Sequence, residues 1–169
     1  PDSLLPPFHT IPGYNQQLVK IALAHINTTV GDFGGNVDKI VTYARSAKER
    51  GADLVVFPEL ALCGYPPRDL VEKSEFVQRS ESELTRLAGL LPEIPALVGY
   101  VRGSRAQQGK GVADAAALLG GGVVLSDYAK VLLPFYDVFD ESRYFEPGPG
   151  PVVCQLQGEL VGLTICEDA

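Results

Sequence analysis

The order of elements along the chain predicts an α/β layered fold with helices on a mixed sheet. Two observations carry that reading. The first half alternates short β-rich runs with stretches of helical spacing, and the second half is strand pairs around glycine-rich turns. The run Leu54-Val55-Val56-Phe57 is apolar at every position, as in a strand buried on both faces.

Residues 1–17 are rich in Pro, Gly and Asn without periodicity and read as an irregular arm; residues 18–169 read as one domain. LVKIALAHI (18–26) reads as a strand. The turn cluster Gly31–Asn36 ends in Asn36, a good helix N-cap. Ile40, Tyr43, Ala44 and Ala47 then recur at helical spacing to about Arg50, and Gly51 closes that helix. After the apolar strand 54–57 the chain turns through Cys63-Gly64-Tyr65-Pro66-Pro67. Two helical stretches follow, roughly 69–77 and 80–91, the second with Leu84, Leu87, Ala88 and Leu91 on one face. Pro92 and Pro95 bracket the return to a strand at 96–101, and 103–111 is a polar loop that can form a hairpin tip. Strands at 114–119 and 123–130 are joined by Gly120-Gly121-Gly122, a long irregular loop fills 133–150, and 152–156 with 160–166 form a final pair.

The chain has 169 residues, 46% hydrophobic and 21% charged, which suits one soluble globular domain with a sizeable core. A net charge of −7 argues against a nucleic-acid partner, which calls for a basic face. No apolar run approaches the roughly 20 residues of a membrane helix, and the first residues lack the pattern of a secretory signal. Three cysteines, Cys63, Cys154 and Cys166, cannot all pair with one another, and free thiols fit a reducing cytoplasm. Asn27-Thr28-Thr29 matches a glycosylation acceptor, which without such a signal is read as chance. The chain starts with Pro and contains no Met, so we expect a piece of a longer protein.

Three groups at predicted strand ends suggest a cysteine amidohydrolase. Cys166 ends the run Leu160–Ile165, Glu59 follows Phe57-Pro58, and Lys130 follows Tyr128-Ala129. A thiolate attacks carbonyl carbon, but a free thiol is mostly protonated at neutral pH and needs a base or a nearby positive charge. Glu59 can be the base and Lys130 the charge. Each has a plainer reading: Cys166 as a buried core thiol, Glu59 as an exposed loop acid, Lys130 as a snorkelling strand-end lysine. Glu141 can orient Lys130 or the substrate, or be a solvated loop acid. The backbone N–H beside Cys166, that of Glu167, can serve a tetrahedral oxyanion. Cys154 lies within a predicted strand and Cys63 beside a turn, so neither is favoured as nucleophile.

Other motifs fail on spacing. Gly103 to Gly109-Lys110 is one residue too long for a phosphate loop, and Gly111 stands where Ser or Thr is needed. Gly31–Gly35 lacks the dinucleotide fingerprint, no Ser lies in a nucleophile elbow, and His9 and His25 make no metal pair with the cysteines.

The segments Gly31–Asn36, Val56-Phe57-Pro58-Glu59-Leu60, Tyr128-Ala129-Lys130 and Ile165-Cys166-Glu167-Asp168 resemble the nitrilase, or carbon–nitrogen hydrolase, superfamily. Its Glu–Lys–Cys triad falls on Glu59, Lys130 and Cys166. Cys63–Leu70 and Leu133–Phe145 further resemble the glutaminase domains of glutamine-dependent NAD synthetases. The resemblance implies an αββα layered sandwich, incomplete in this chain, with the strand ending at Cys166 central in its sheet and left with an open edge. It implies an N-terminal glutaminase half that releases ammonia from L-glutamine, with no cofactor of its own. The ammonia would serve amidation of deamido-NAD on a C-terminal synthetase domain of the same chain, which uses ATP and Mg. It also implies a cytoplasmic homo-oligomer in NAD biosynthesis, and a 169-residue piece inactive alone. Tyr136 matches a tyrosine that contacts glutamine; Phe135, Asp114 and Ala113 stand where Asn, Asn and Tyr are commoner. The rival readings are a standalone amidase for another small amide and a non-catalytic interaction module on the same scaffold.

Overall fold

The computed structural model describes residues 19–104 and 109–169. The expected arm at 1–17, and the tip of the 103–111 loop at 105–108, lie outside the described residues.

A five-stranded sheet runs in the order β1 (Ile21–Leu23), β2 (Leu54–Val56), β3 (Ala96–Gly103), β4 (Val112–Gly120), β5 (Val123–Ala129). β1–β2–β3 are parallel and β3–β4–β5 antiparallel, so the sheet is mixed, as the element order predicts. The parallel pairs are bridged by α1 (Phe33–Glu49) and α2 (Ser74–Leu90). The hairpin between 96 and 120 forms as expected, closed near its tip by the Ser104 N–H on the Gly111 carbonyl. The β4–β5 turn holds Gly121 and Gly122 at positive φ.

Alternation along the strands makes two cores. Ala96, Val98 and Tyr100 on β3 and Ala115, Ala117 and Leu119 on β4 join Val37, Ile40, Ala44, Leu84 and Leu87 of the helices. Each fully buried Ile or Leu there contributes about 1.5–3 kcal/mol. Leu97, Ala116 and Tyr128 face the other way, onto a two-stranded antiparallel sheet of β6 (Val152–Leu156) and β7 (Glu159–Leu163). The layers are therefore helices, five-stranded sheet and hairpin. No helix among the described residues is long and apolar enough to cross a membrane.

Several sequence expectations are corrected. α1 is capped by Asp32, whose carboxylate accepts from the Gly35 N–H. Asn36 instead lies buried inside the helix, donating to the Thr29 and Leu62 carbonyls and accepting from the Thr29 N–H. The two expected helices at 69–77 and 80–91 are one 17-residue helix, α2, preceded by a 3-10 turn at 68–72. Ser80, read as a helix start, is buried mid-helix because its hydroxyl accepts from the Val101 N–H. The 133–150 segment contains a short helix, α3 (Glu141–Tyr144). β7 stops at Leu163 and Cys166 opens a 3-10 turn, 166–168. β7 pairs only with β6 among the described residues, so its other edge is open, as the resemblance implies.

Candidate active site

The residues that follow β2 and β5, strands separated in the sheet by β3 and β4, supply the acid and the amine. β3 carries glycine where the acid's loop crosses it. A Cβ on Gly99 would lie 2.3 Å from the Leu60 nitrogen and 2.7 Å from the Pro58 carbonyl oxygen. The Leu62 N–H then donates to the Gly99 carbonyl at 3.0 Å, fixing the loop on the strand. Leu60, beside Glu59, sits at φ 51°, a left-handed conformation that costs a branched residue about 1–2 kcal/mol. At the end of β5, the Lys130 N–H donates to the Asp114 carbonyl and the Gly148 N–H to the Lys130 carbonyl. Gly148 allows this approach, since a Cβ there would fall 2.1 Å from the Ala129 carbonyl oxygen.

Lys130 is wholly buried, so the snorkelling reading fails. Its Nζ donates to Glu59 Oε1 at 2.7 Å and to Glu141 Oε2 at 2.5 Å. Burial opposes the ammonium, but those two hydrogen bonds outweigh it and raise the Lys130 pKa. Glu141 is 5% exposed, so it is no solvated loop acid. Burial pushes its pKa up against the pull of Lys130. Tyr65, from the Gly-Tyr-Pro-Pro turn, donates its hydroxyl to Glu141 Oε1 at 3.4 Å, and burial together with Glu141 and Glu59 lifts its pKa to about 12.

Asp114 on β4 is fully buried, and burial followed by the adjoining Glu59 carboxylate holds its pKa well above the ordinary range. Ligand atoms of Glu59, Asp114 and Glu141 lie within 4.8 Å of one another, the one carboxylate trio with metal-ligand spacing among the described residues. The Lys130 ammonium already supplies the positive charge there.

Cys166 is exposed at φ 49°, and with Glu59 it lines a cavity of about 190 Å³ floored by Gly99, Ala115 and Ala116. Burial and the Glu59 charge raise its thiol pKa; Lys130 and the Glu167 N–H work in the opposite direction. The thiol is thus protonated at rest and needs a base to become a nucleophile. The turn that presents it is held by Asp168. Its Oδ1 accepts from the Val131 and Leu132 N–H groups, and its Oδ2 from the Tyr128 hydroxyl and the Ile165 N–H. One carboxylate therefore ties the cysteine turn to the residues just after Lys130.

Tyr136 stands half-exposed beside the cysteine turn, its hydroxyl on Glu167 Oε2 at 2.7 Å. That bond raises the Tyr136 pKa. Cys63 is fully buried and its pKa is lifted to about 12 by burial, an inert thiol. Cys154 lies on β6, on the second core. The fold thus joins Glu59, Lys130 and Glu141 directly, sets Cys166 on the same cavity as Glu59, and ties Tyr136 to Glu167, the residue after Cys166. Sequence reasoning gave Tyr65 and Asp168 no role of their own and saw Asp114 only as a departure from the commoner Asn. The apolar residues around Tyr65 and Asp114 were the available signal.

Residues 20–169 match the carbon–nitrogen hydrolase family, and the chain belongs to it. A glutamine-dependent NAD(+) synthetase from Synechocystis is 45% identical over 152 residues, covering 88% of this chain and 27% of that protein. One from Thermotoga maritima is 40% identical over 89% of this chain and 26% of its own length. The chain thus spans about a quarter of the length of these relatives. Among solved structures, a glutamine-dependent NAD+ synthetase from Acinetobacter baumannii superposes with a TM-score of 0.81 at 34% identity, over 89% of this chain and 28% of that one. An amidase from Nesterenkonia sp. superposes at 0.71 with 29% identity, over 88% and 56%. The chain shares the nitrilase-like α/β fold of these neighbours, of which it holds a part.

Proposed function

We propose that this chain provides the glutaminase chemistry of a glutamine-dependent NAD synthetase, with Glu59, Lys130 and Cys166 as its catalytic residues. The observation that carries the reading is the Lys130 ammonium held between Glu59 and Glu141, with Cys166 on the same cavity as Glu59. Glu59 takes the Cys166 proton, and the thiolate attacks the side-chain amide carbon of L-glutamine. Lys130 and the Glu167 N–H stabilise the oxyanion. The tetrahedral intermediate collapses as the amide nitrogen accepts the proton held by Glu59, and ammonia leaves a γ-glutamyl thioester. Glu59 then removes a proton from water, which attacks the thioester, and the thiol is restored as glutamate departs. Glu141 positions Lys130, and Tyr136 contacts the glutamine.

The glutaminase step uses no cofactor. The ammonia is consumed by amidation of deamido-NAD on a C-terminal synthetase domain that binds ATP and Mg2+, in a cytoplasmic homo-oligomer. The second reading is an amidase for another small amide, which the likeness to the Nesterenkonia amidase favours.

Cys166→Ala in the full-length gene product tests the proposal. NAD formation fed with glutamine should vanish while NAD formation fed with free ammonia persists. Equal loss of both would make Cys166 structural. A protein that hydrolyses small aliphatic amides but not glutamine would favour the second reading.

A further inference from the structure

Asp114 is a buried acid for which the mechanism above has no task. It is 0% exposed, and neither of its carboxylate oxygens meets a hydrogen-bond donor. Lys130, the cation of the site, is committed to Glu59 and Glu141 and makes no ion pair with Asp114 among the described residues. A carboxylate left so would be a desolvated charge without compensation, beside two others. β4 points Asp114 to the same sheet face as Ala116, the face that carries Gly99 and the Glu59 loop, so the group it confronts is the Glu59 carboxylate. Two carboxyl groups in such proximity attract only if one of them carries a proton.

We propose that Asp114 is a positioning residue that is protonated at neutral pH and donates its O–H to the Glu59 carboxylate. This rests on Glu59 being the general base. One Glu59 oxygen is already held by Lys130. A second hydrogen bond from Asp114 fixes the plane of the carboxylate, so that the base cannot rotate away from Cys166. It also removes one negative charge from a site where three carboxylates face one ammonium. Glu59, Glu141 and Lys130 all bear on the Asp114 proton in the direction of retention or release that their charges dictate, and retention wins because burial dominates. Cys63, behind it, is a neutral thiol, and the cross-strand partner on β3 is the uncharged Val101. Loss of the Asp114 proton at high pH would break the hydrogen bond and set two anions against each other.

Two substitutions separate the hydrogen bond from the proton. Asp114→Asn keeps a donor at every pH; Asp114→Leu keeps the branched outline and removes the donor. In the full-length gene product, the pH profile of glutamine hydrolysis should lose its alkaline limb, or have it displaced upward, in Asp114→Asn, with kcat at neutral pH within a few-fold of the parent. Asp114→Leu should lower kcat roughly 10–100-fold, the worth of one hydrogen bond to a charged group, with little change in KM. Should Asp114→Leu not fold, Asp114→Ala replaces it. The proton is read independently by infrared spectroscopy: the parent at neutral pH should show the carbonyl stretch of a buried carboxylic acid that is missing from Asp114→Asn. Absence of that band overturns the proposal, as does a pH profile of Asp114→Asn that superimposes on the parent, or Asp114→Asn damaged as severely as the donor-free variant. If glutamine is not hydrolysed at all, the functional reading fails, and the infrared band alone decides whether Asp114 holds the proton.

Discussion

The two halves of the candidate site are built to different specifications. The acid–amine half, Glu59, Lys130 and Glu141, is seated on the five-stranded sheet. Lys130 has no exposed surface and its two ion pairs are 2.7 and 2.5 Å. The thiol half is the opposite: Cys166 is exposed, on a three-residue turn after a two-stranded hairpin, with Asp168 as its tether. The first half is fixed by the core, since moving Lys130 means unpacking β5 and its neighbours. The second is fixed by four hydrogen bonds to one carboxylate and by a positive φ. The difference suits the proposed roles: a nucleophile must reach substrate and then release it, whereas an oxyanion-stabilising charge works best when it does not move at all.

Lys130→Met attacks the rigid half and should have the largest effect. On the proposed mechanism it removes the ammonium that serves the developing oxyanion, so kcat for glutamine should fall roughly 10²–10³-fold with KM little changed. It also leaves Glu141, 5% exposed, without its cation, which should cost about 3–5 kcal/mol of stability unless the acid takes up a proton. Steady-state kinetics and thermal unfolding read the two effects separately. A normal kcat with a raised KM would move Lys130 from transition-state stabilisation to substrate binding.

Asp168→Ala attacks the tether. The Val131, Leu132 and Ile165 N–H groups and the Tyr128 hydroxyl lose their acceptor, a cost of about 1–3 kcal/mol for the donors that remain buried. Alkylation of Cys166 should become faster while glutamine hydrolysis slows, because the thiol is freer and worse aimed. Slower alkylation and slower hydrolysis together would mean that Asp168 tunes the thiol rather than placing it.

How much of this was legible before the fold is known follows from where each signal is written. The mixed sheet was readable because β2 is wholly apolar and the later strands are paired around glycines. The triad candidates were readable because each follows a strand. What failed did so for tertiary reasons. Asn36 has the chemistry of a cap, but its amide is used to tie two loops to α1. The sequence reading starts a second helix at Ser80, yet α2 runs through it, its hydroxyl accepting from the β3 backbone. α3 is four residues long and carries no periodicity, so the sequence left Glu141 open between a partner of Lys130 and a solvated loop acid, and packing decides for the first. Asp114 was invisible as an acid with a task, since its meaning depends on which carboxylate lies across from it.

A pH measurement sharpens the comparison further. Asp114 and Glu141 have folded pKa values raised above their unfolded ones. The unfolded chain therefore releases these protons first as pH rises. Their contribution to stability is full below the ordinary carboxylate range and is lost as pH climbs through the folded values. Stability of the rigid half should decline with pH by up to about 1.4 kcal/mol per unit for each such proton over that window. Chemical denaturation across a pH series should show a shallower decline in Asp114→Asn. An unchanged slope would place the proton uptake elsewhere.

The smallest effect belongs to the tyrosine beside the cysteine turn. Tyr136 is 50% exposed and its hydroxyl donates to Glu167, the residue whose N–H faces the thiol. Tyr136→Phe keeps the ring, which meets Phe139 edge-on at 6.0 Å, and removes only the hydroxyl. Because that hydroxyl is solvated, its loss is worth no more than about 0.5–1.5 kcal/mol. If Tyr136 contacts glutamine, the loss should appear as a KM raised a few-fold with kcat nearly unchanged, since the contact is made equally in ground and transition states. If its task is instead to hold the Glu167 turn, kcat should fall and KM stay, in step with Asp168→Ala. The direction of the split between KM and kcat, more than its size, says whether Tyr136 belongs to the substrate or to the tether of the nucleophile.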